Sequence, residues 1–338
     1  MNKKKLLLSL FAVFLLLLLA ACGGGGDSEG DSSDTDTGSD DNESSDGETP
    51  DFLSLLTGGT SGTYYPLGGE IAKNITDDTG IQTDAIASNA SADNVIALAD
   101  GEAELAFVQT DVVAYAIEGI NAFDEPVDNV LAVGSLYPET VQIVTTEQTG
   151  IESIEDLEGK KVSVGAPGSG TYINAEQILE IHGMTMDDID AQNLDFGEST
   201  GGIQDGNIDA AIITAGTPTG AVEELTASAD VVVLPIEQDK VDALIEKYPY
   251  YAQDTVPEGT YGLDEEVNTV AVLAMIAVTD SLSDDVVYDI TKSVYENADS
   301  MSHDKAEFIK LDSALDGIGI DLHPGAEKYF DEQGISAD

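Results

Sequence analysis

The tetrapeptide Ser61-Gly62-Thr63-Tyr64 recurs as Ser169-Gly170-Thr171-Tyr172, and both copies lie at the same place in a local pattern. A short hydrophobic run precedes each copy, and an amphipathic, helix-like stretch follows it. Two strand–loop–helix units in two halves of one chain predict two matched loops that face a single cleft. Glycines let the backbone approach a ligand, and helix N-termini present free N–H groups, so these loops favour anion binding over catalysis.

Strand-like apolar runs alternate with helix-like stretches along most of the chain, which predicts an α/β fold with mainly parallel strands. Two apolar runs, residues 130–146 and 268–279, are much longer than the others. We expect them to cross side by side between two lobes and to form a hinge; one continuous doubly wound sheet is the alternative. The predicted boundaries place residues 51–135 and 278–338 in lobe 1 and residues 136–277 in lobe 2.

The N-terminal residues have the features of an exported lipoprotein. Residues 3–5 are lysines, residues 6–19 are apolar apart from Ser9, and small residues precede Cys22, the only cysteine of the chain. This pattern predicts a signal peptide over residues 1–21 and lipidation of Cys22. An ordinary signal peptide or an N-terminal membrane helix is the alternative, although the apolar run is short for a spanning helix. Residues 22–50 are expected to form a disordered acidic tether, because they contain almost nothing apolar to bury.

The charge balance is strongly acidic, with 66 Asp and Glu against 12 Lys and Arg and a net charge of −54 at pH 7. This net charge excludes nucleic acid as a partner, because an acidic protein surface repels the phosphate backbone. The acidity is typical of a halophilic protein, because at molar salt the Debye length is about 3 Å and self-repulsion is screened; simple solubility is the alternative. All 12 basic residues are lysines, so the bidentate arginine contact with carboxylates is not available to this chain.

Further polar residues stand at the ends of predicted strands, where ligands of open α/β sheets bind. Asn89 follows the second predicted strand and Gln109 the third, so both are candidate ligand contacts. The serines that flank Asn89 are equally consistent with simple helix caps. Gly216 holds the equivalent place in the second half of the chain. Residues 195–196 are predicted to form a short strand.

The residue types that catalysis requires are poorly placed. His182, His303 and His323 lack the spacing of a metal site, and no candidate base lies near either Ser-Gly-Thr copy. We therefore expect no enzyme activity, no metal and no cofactor. A secreted hydrolase is a weak alternative, because it needs a base close to a nucleophile.

Several motifs, in order along the chain, resemble the TAXI family of solute receptors (TRAP-associated extracytoplasmic immunogenic proteins). The matching segments are residues 58–68, 88–94, 106–111, 135–139, 157–171, 248–251 and 323–326. The resemblance implies a two-lobed periplasmic-binding-protein fold, type II-like, that closes on one small anionic solute such as glutamate or a related dicarboxylate. The implied ligand contacts are Gly59, Thr60, Thr63, Tyr64, Asn89, Gln109, Ser169, Gly170 and Thr171.

The resemblance also implies partners. The chain is expected to be a monomeric, lipid-anchored extracytoplasmic receptor that delivers its solute to a TRAP-type membrane permease, a secondary transporter. A sensor module that docks on a receptor kinase and a binding protein of an ATP-driven importer are the alternatives, since both use the same kind of cleft.

If the acidic surface is a halophilic adaptation, raising NaCl from about 0.1 M to about 3 M should raise the thermal unfolding midpoint, because salt screens repulsion between carboxylates. Differential scanning calorimetry of the purified protein at several salt concentrations measures this. A midpoint that does not rise with NaCl would contradict the halophilic interpretation.

Overall fold

A computed structural model describes residues 50–336; the predicted signal peptide, Cys22 and most of the predicted tether lie outside the described residues. The strands are β1 (Phe52–Leu56), β2 (Gln82–Ile86), β3 (Leu105–Gln109), β4 (Val130–Thr146), β5 (Lys161–Ser163), β6 (Asp190–Gln192), β7 (Ala210–Ala215), β8 (Val231–Leu234), β9 (Ala252–Val256) and β10 (Val267–Thr279). The α-helices are α1 (Tyr64–Thr79), α2 (Ser91–Ala99), α3 (Thr110–Glu118), α4 (Gly170–Ile181), α5 (Phe196–Gln204), α6 (Gly220–Thr226), α7 (Gln238–Lys247), α8 (Asp284–Glu296) and α9 (Pro324–Gln333).

The strands form one hydrogen-bonded sheet in the order β2-β1-β3-β10-β4-β7-β5-β6, with β8 paired to β4 and β9 paired to β10. Strand β1 is parallel to β2 and β3, and strand β5 is parallel to β6 and β7. The antiparallel pair β4–β10 joins these two parallel regions. The predicted α/β fold with two crossover strands is therefore confirmed.

Both crossover strands have one end in each lobe. They pair from Ala271 opposite Thr140 to Thr279 opposite Val130, with two register shifts. The C-terminal part of β4 continues alongside β7 and β8, whereas the C-terminal part of β10 lies against β3. The chain therefore passes between the lobes on two adjacent strands. The boundaries of the two lobes at individual residues stay predictions.

Separate hydrophobic clusters stabilise the two lobes. In lobe 1, helix α1 packs against strand β2 and helix α8, and its apolar face belongs to one hydrophobic cluster with residues of β1 and α9. Leu67, Ile71 and Ile75, which are spaced at i, i+4 and i+8, are fully buried there. In lobe 2, a second cluster includes residues of β5, α4 and α7. No helix within residues 50–336 is long and apolar enough to cross a membrane.

The short strand predicted at residues 195–196 is wrong, because these residues begin helix α5. The Asp195 carboxylate accepts a hydrogen bond from the Glu198 N–H at 2.8 Å, and the Glu198 carboxylate accepts one from the Asp195 N–H at 3.3 Å. This reciprocal capping box satisfies two N–H groups that the helix leaves free. The Asp-x-x-Glu spacing was the sequence signal for a helix start.

Candidate functional site

The two repeated loops face each other across a cleft between the lobes. The first loop joins β1 to α1, and the second joins β5 to α4. The cleft holds about 540 Å³ of empty space, part of it open to solvent. Eight of the ten predicted ligand-binding residues line it: Gly59, Thr63, Tyr64, Asn89, Gln109, Ser169, Gly170 and Thr171.

The other two predicted residues, Thr60 and Gly216, do not line the cleft. The Gly62 N–H donates to the Gly59 carbonyl at 3.1 Å, which makes a tight turn with Thr60 exposed at its tip. Thr60 lies in a neighbouring surface groove instead. Gly216 is part of the contact between lobes, because its carbonyl accepts a hydrogen bond from the Thr63 hydroxyl at 3.3 Å.

Each repeated loop also contacts a helix of the opposite lobe. The Ser61 carbonyl of the first loop accepts from the Ala221 N–H, in the first turn of α6, at 3.1 Å. The Gly168 carbonyl of the second loop accepts from the N–H groups of Ala92 and Asp93, in the first turn of α2, at 2.9 and 3.1 Å. First-turn N–H groups have no partner within their own helix. The reciprocal hydrogen bonds hold the two lobes together on either side of the cleft.

Glycines of the second loop fit side chains of lobe 1. A methyl group at Gly168 would overlap the Asp93 carboxylate, and one at Gly170 would overlap the side-chain amide of Gln109. Gly168 also has φ = +75°, a conformation that favours glycine. Close contact between the lobes is therefore a reason for these glycines besides the approach of a ligand.

The N-terminus of helix α4 leaves backbone donors without an acceptor at the cleft. The Ser169 side chain accepts from the Tyr172 N–H at 3.2 Å and so caps the helix. The N–H groups of Gly170 and Thr171 have no acceptor in the part of the chain that the structure describes. Both residues line the cleft, and the helix dipole adds partial positive charge at this end. The arrangement suits a carboxylate, sulfonate or phosphonate group.

The sequence-based list of contacts missed Glu139, which also lines the cleft. This glutamate is 2% exposed, and the Tyr64 hydroxyl donates to its Oε2 at 2.7 Å. Burial raises the pKa of Glu139 to about 8, although the hydrogen bond from Tyr64 opposes the shift. The signal in the sequence was that Glu139 is the one charged residue in the 17-residue run of β4.

Lobe 2 also contributes Asp195 and Phe196, which the sequence did not indicate as ligand contacts, and Thr214, at the strand end that the sequence indicated together with Gly216. The Thr214 hydroxyl and the Gln109 Oε1 atom are buried and have no hydrogen-bond partner within residues 50–336. Buried polar atoms are normally paired. The cleft therefore presents both donors and acceptors that a polar solute can satisfy.

A closed cleft between two lobes on paired crossover strands is the architecture of periplasmic solute-binding proteins. The sequence profile of the NMT1-like family matches residues 55–334, so the chain belongs to that family.

Solved structures with the same fold have low sequence identity to this chain. A protein from Bordetella bronchiseptica RB50 is 16% identical, with 84% of this chain and 81% of that chain covered and a TM-score of 0.54. The alkanesulfonate-binding protein SsuA from Xanthomonas axonopodis pv. citri, bound to MOPS, is 14% identical, with 84% of each chain covered and a TM-score of 0.51. PhnD1 from Prochlorococcus marinus (MIT 9301), in complex with methylphosphonate, is 10% identical, with 78% and 90% covered and a TM-score of 0.51. These similarities confirm the predicted fold class.

A substitution of Glu139 tests whether the folded protein holds this buried carboxyl in its neutral form. The folded-state pKa of Glu139, about 8, lies above the ordinary value of about 4.3. Its contribution to stability is therefore fully present below about pH 4 and is lost as pH rises through 8. Glu139→Gln mimics the protonated acid, so its stability relative to wild type should increase by roughly 2–4 kcal/mol between about pH 5 and pH 9.

Urea unfolding at several pH values measures this difference. Glu102→Gln, at an exposed glutamate, is the matched control and should show little change with pH. A Glu139→Gln difference that is constant across the range would mean that the folded protein does not hold this carboxyl in its neutral form.

Proposed function

We propose that this protein is an extracytoplasmic solute receptor whose lobes close on one small organic anion. The observation that carries this proposal is the cleft itself, which both repeated loops line. The free N–H groups of Gly170 and Thr171 and the nearby hydroxyls give an anion neutral donors without an arginine. Two proteins with this fold support a ligand of this kind, since SsuA is an alkanesulfonate-binding protein and PhnD1 holds methylphosphonate.

The solute we propose is a carboxylate that also carries an amino group, with glutamate preferred over a plain dicarboxylate. The described ion pairs do not include Glu139, so its carboxylate has no cationic partner among residues 50–336. An ammonium group of the solute would supply that partner and favour the ionised acid. The Gln109 Oε1 atom, which lacks a donor there, is a second acceptor for such a group.

The transport partner we propose is a TRAP-type permease, and the attachment is through lipid on Cys22. The motifs that resemble TAXI receptors support the permease, and the apolar run followed by Cys22 supports the lipid anchor. In this proposal the receptor is a monomer that binds and releases its solute unchanged, without enzyme activity.

Native mass spectrometry of freshly purified protein should detect a co-purified small anion. A thermal-shift screen of amino acids and dicarboxylates should then give the largest stabilisation with glutamate or a close relative, since a ligand of the folded state stabilises by RT ln(1 + [L]/Kd). If no organic anion raises the unfolding temperature, the proposed ligand class is wrong.

Removing the side-chain hydroxyls at the start of α4 should weaken binding of the solute. Thr171→Val keeps the shape of the side chain and removes its hydroxyl, so affinity should fall by roughly 1–3 kcal/mol. Ser169→Ala should have a similar effect, part of which comes from the lost cap on the Tyr172 N–H. Isothermal titration calorimetry measures both.

Thr226→Val, at an exposed threonine outside the cleft, is the matched control and should bind as wild type does. Wild-type affinity in both Thr171→Val and Ser169→Ala would overturn the assignment of these two hydroxyls to the ligand.

A further inference from the structure

A buried polar cluster lies where helix α3 of lobe 1 meets helix α4 of lobe 2. The Asn174 Nδ2 atom donates to Asp111 Oδ2 at 3.0 Å and to the Tyr251 hydroxyl at 2.7 Å. The Tyr251 hydroxyl donates to Gln177 Oε1 at 2.8 Å, and Gln177 Nε2 donates to the Tyr115 hydroxyl at 2.9 Å. All five residues are buried, and none of them lines the ligand cleft.

Two hydrogen bonds of this cluster join the lobes. Asp111 and Tyr115 lie on α3, before the first crossover strand, whereas Asn174 and Gln177 lie on α4, between the two crossovers. Asp111 follows the cleft residue Gln109 by two positions, and Asn174 follows Thr171 by three. Closing of the lobes over the cleft therefore also brings the buried polar residues of α3 into contact with those of α4.

We propose that Asp111, Asn174, Gln177 and Tyr115 form an interlobe latch that stabilises the closed receptor. The latch rests on the proposed closing of the lobes, but none of its residues touches the cleft. Buried hydrogen bonds of this kind form only when the lobes meet, because opening separates α3 from α4 and hydrates their polar groups. The latch biases the open–closed equilibrium that a solute then shifts further.

The latch also responds to pH. Burial raises the pKa of Asp111 to about 7, opposed by hydrogen bonds from Val112 and Asn174. The ionisable groups that interact with it are Tyr115 on its own helix, Tyr250 and Tyr251 before β9, and Glu139 on β4. Its Oδ1 atom has no hydrogen-bond partner in the part of the chain that the structure describes.

The sign of the pH effect follows from exposure. In the open form Asp111 meets water, and its pKa returns towards the ordinary value of about 4. Closing therefore takes up a proton between about pH 4 and pH 7, and the closed form is favoured as pH falls through 7.

Hydrogen exchange of the ligand-free protein tests the latch without any knowledge of the solute. The N–H groups of Ala92, Asp93 and Ala221 donate to carbonyls of the opposite lobe, so their protection reports closure at a distance from the latch. Tyr115→Phe removes one interlobe hydroxyl and should lower their protection factors roughly 3- to 10-fold. Asn174→Leu should lower them further, while amides within strand β1 keep wild-type protection.

The matched control is Tyr288→Phe, which removes a hydroxyl that bonds Glu332 within lobe 1 and should leave these amides unchanged. With intrinsic exchange corrected for pH, wild-type protection should be several-fold higher at about pH 6 than at about pH 8. Asp111→Asn, a neutral isostere, should reduce this dependence, and Asp111→Asn combined with Glu139→Gln should abolish it, because burial raises the pKa of both carboxyls in the closed form.

The possible results of this experiment distinguish failure of the proposed latch from failure of the proposed ligand. If the three reporter amides are as protected in Tyr115→Phe and in Asn174→Leu as in the wild type, the latch is overturned. It is also overturned if these amides are unprotected in the wild type both with and without added L-glutamate. A protected wild type that gains no protection from L-glutamate would overturn the proposed solute and leave the latch standing.

Discussion

The antiparallel pairing of β4 with β10 is the constraint on which the rest of the structure depends. Each strand is hydrogen-bonded to one lobe at one end and to the other lobe at the other. Both chain crossings therefore lie together as neighbouring strands of one sheet. The same pair places Glu139 at the cleft. The element that connects the lobes thus also contributes a residue to the candidate site.

In the proposed site, helix N-termini replace arginine as donors to the anion. This chain has no arginine, and first-turn N–H groups have two roles in the closed structure. Those of α2 and α6 donate to carbonyls of the opposite repeated loop, whereas two at the start of α4 belong to residues that line the cleft and have no acceptor within residues 50–336. Such donors add no side-chain charge. They can therefore hold an anion beside a buried acid, in a protein whose surface is already strongly acidic.

Local patterns in the sequence predicted the features that depend on neighbouring residues, namely the repeated loops, the long crossover strands and the apolar face of α1. The sequence did not reveal that Thr60, a predicted ligand contact, lies outside the cleft lining, at the exposed tip of the turn that the Gly62-to-Gly59 hydrogen bond closes. Residues 195–196 were misassigned although the capping-box spacing was present. The environment of Glu139 and the contact of Asp111 with Asn174, 63 residues away, depend on how distant elements pack, which one sequence does not reveal.

If a small solute holds the two lobes closed about the paired crossover strands, its binding should make the molecule more compact. Small-angle X-ray scattering of the purified protein measures this before and after saturation with a solute whose binding has been established by calorimetry. The bound form should have a smaller radius of gyration, and its scattering should agree with the closed structure. Identical scattering curves, or expansion on binding, would contradict this prediction.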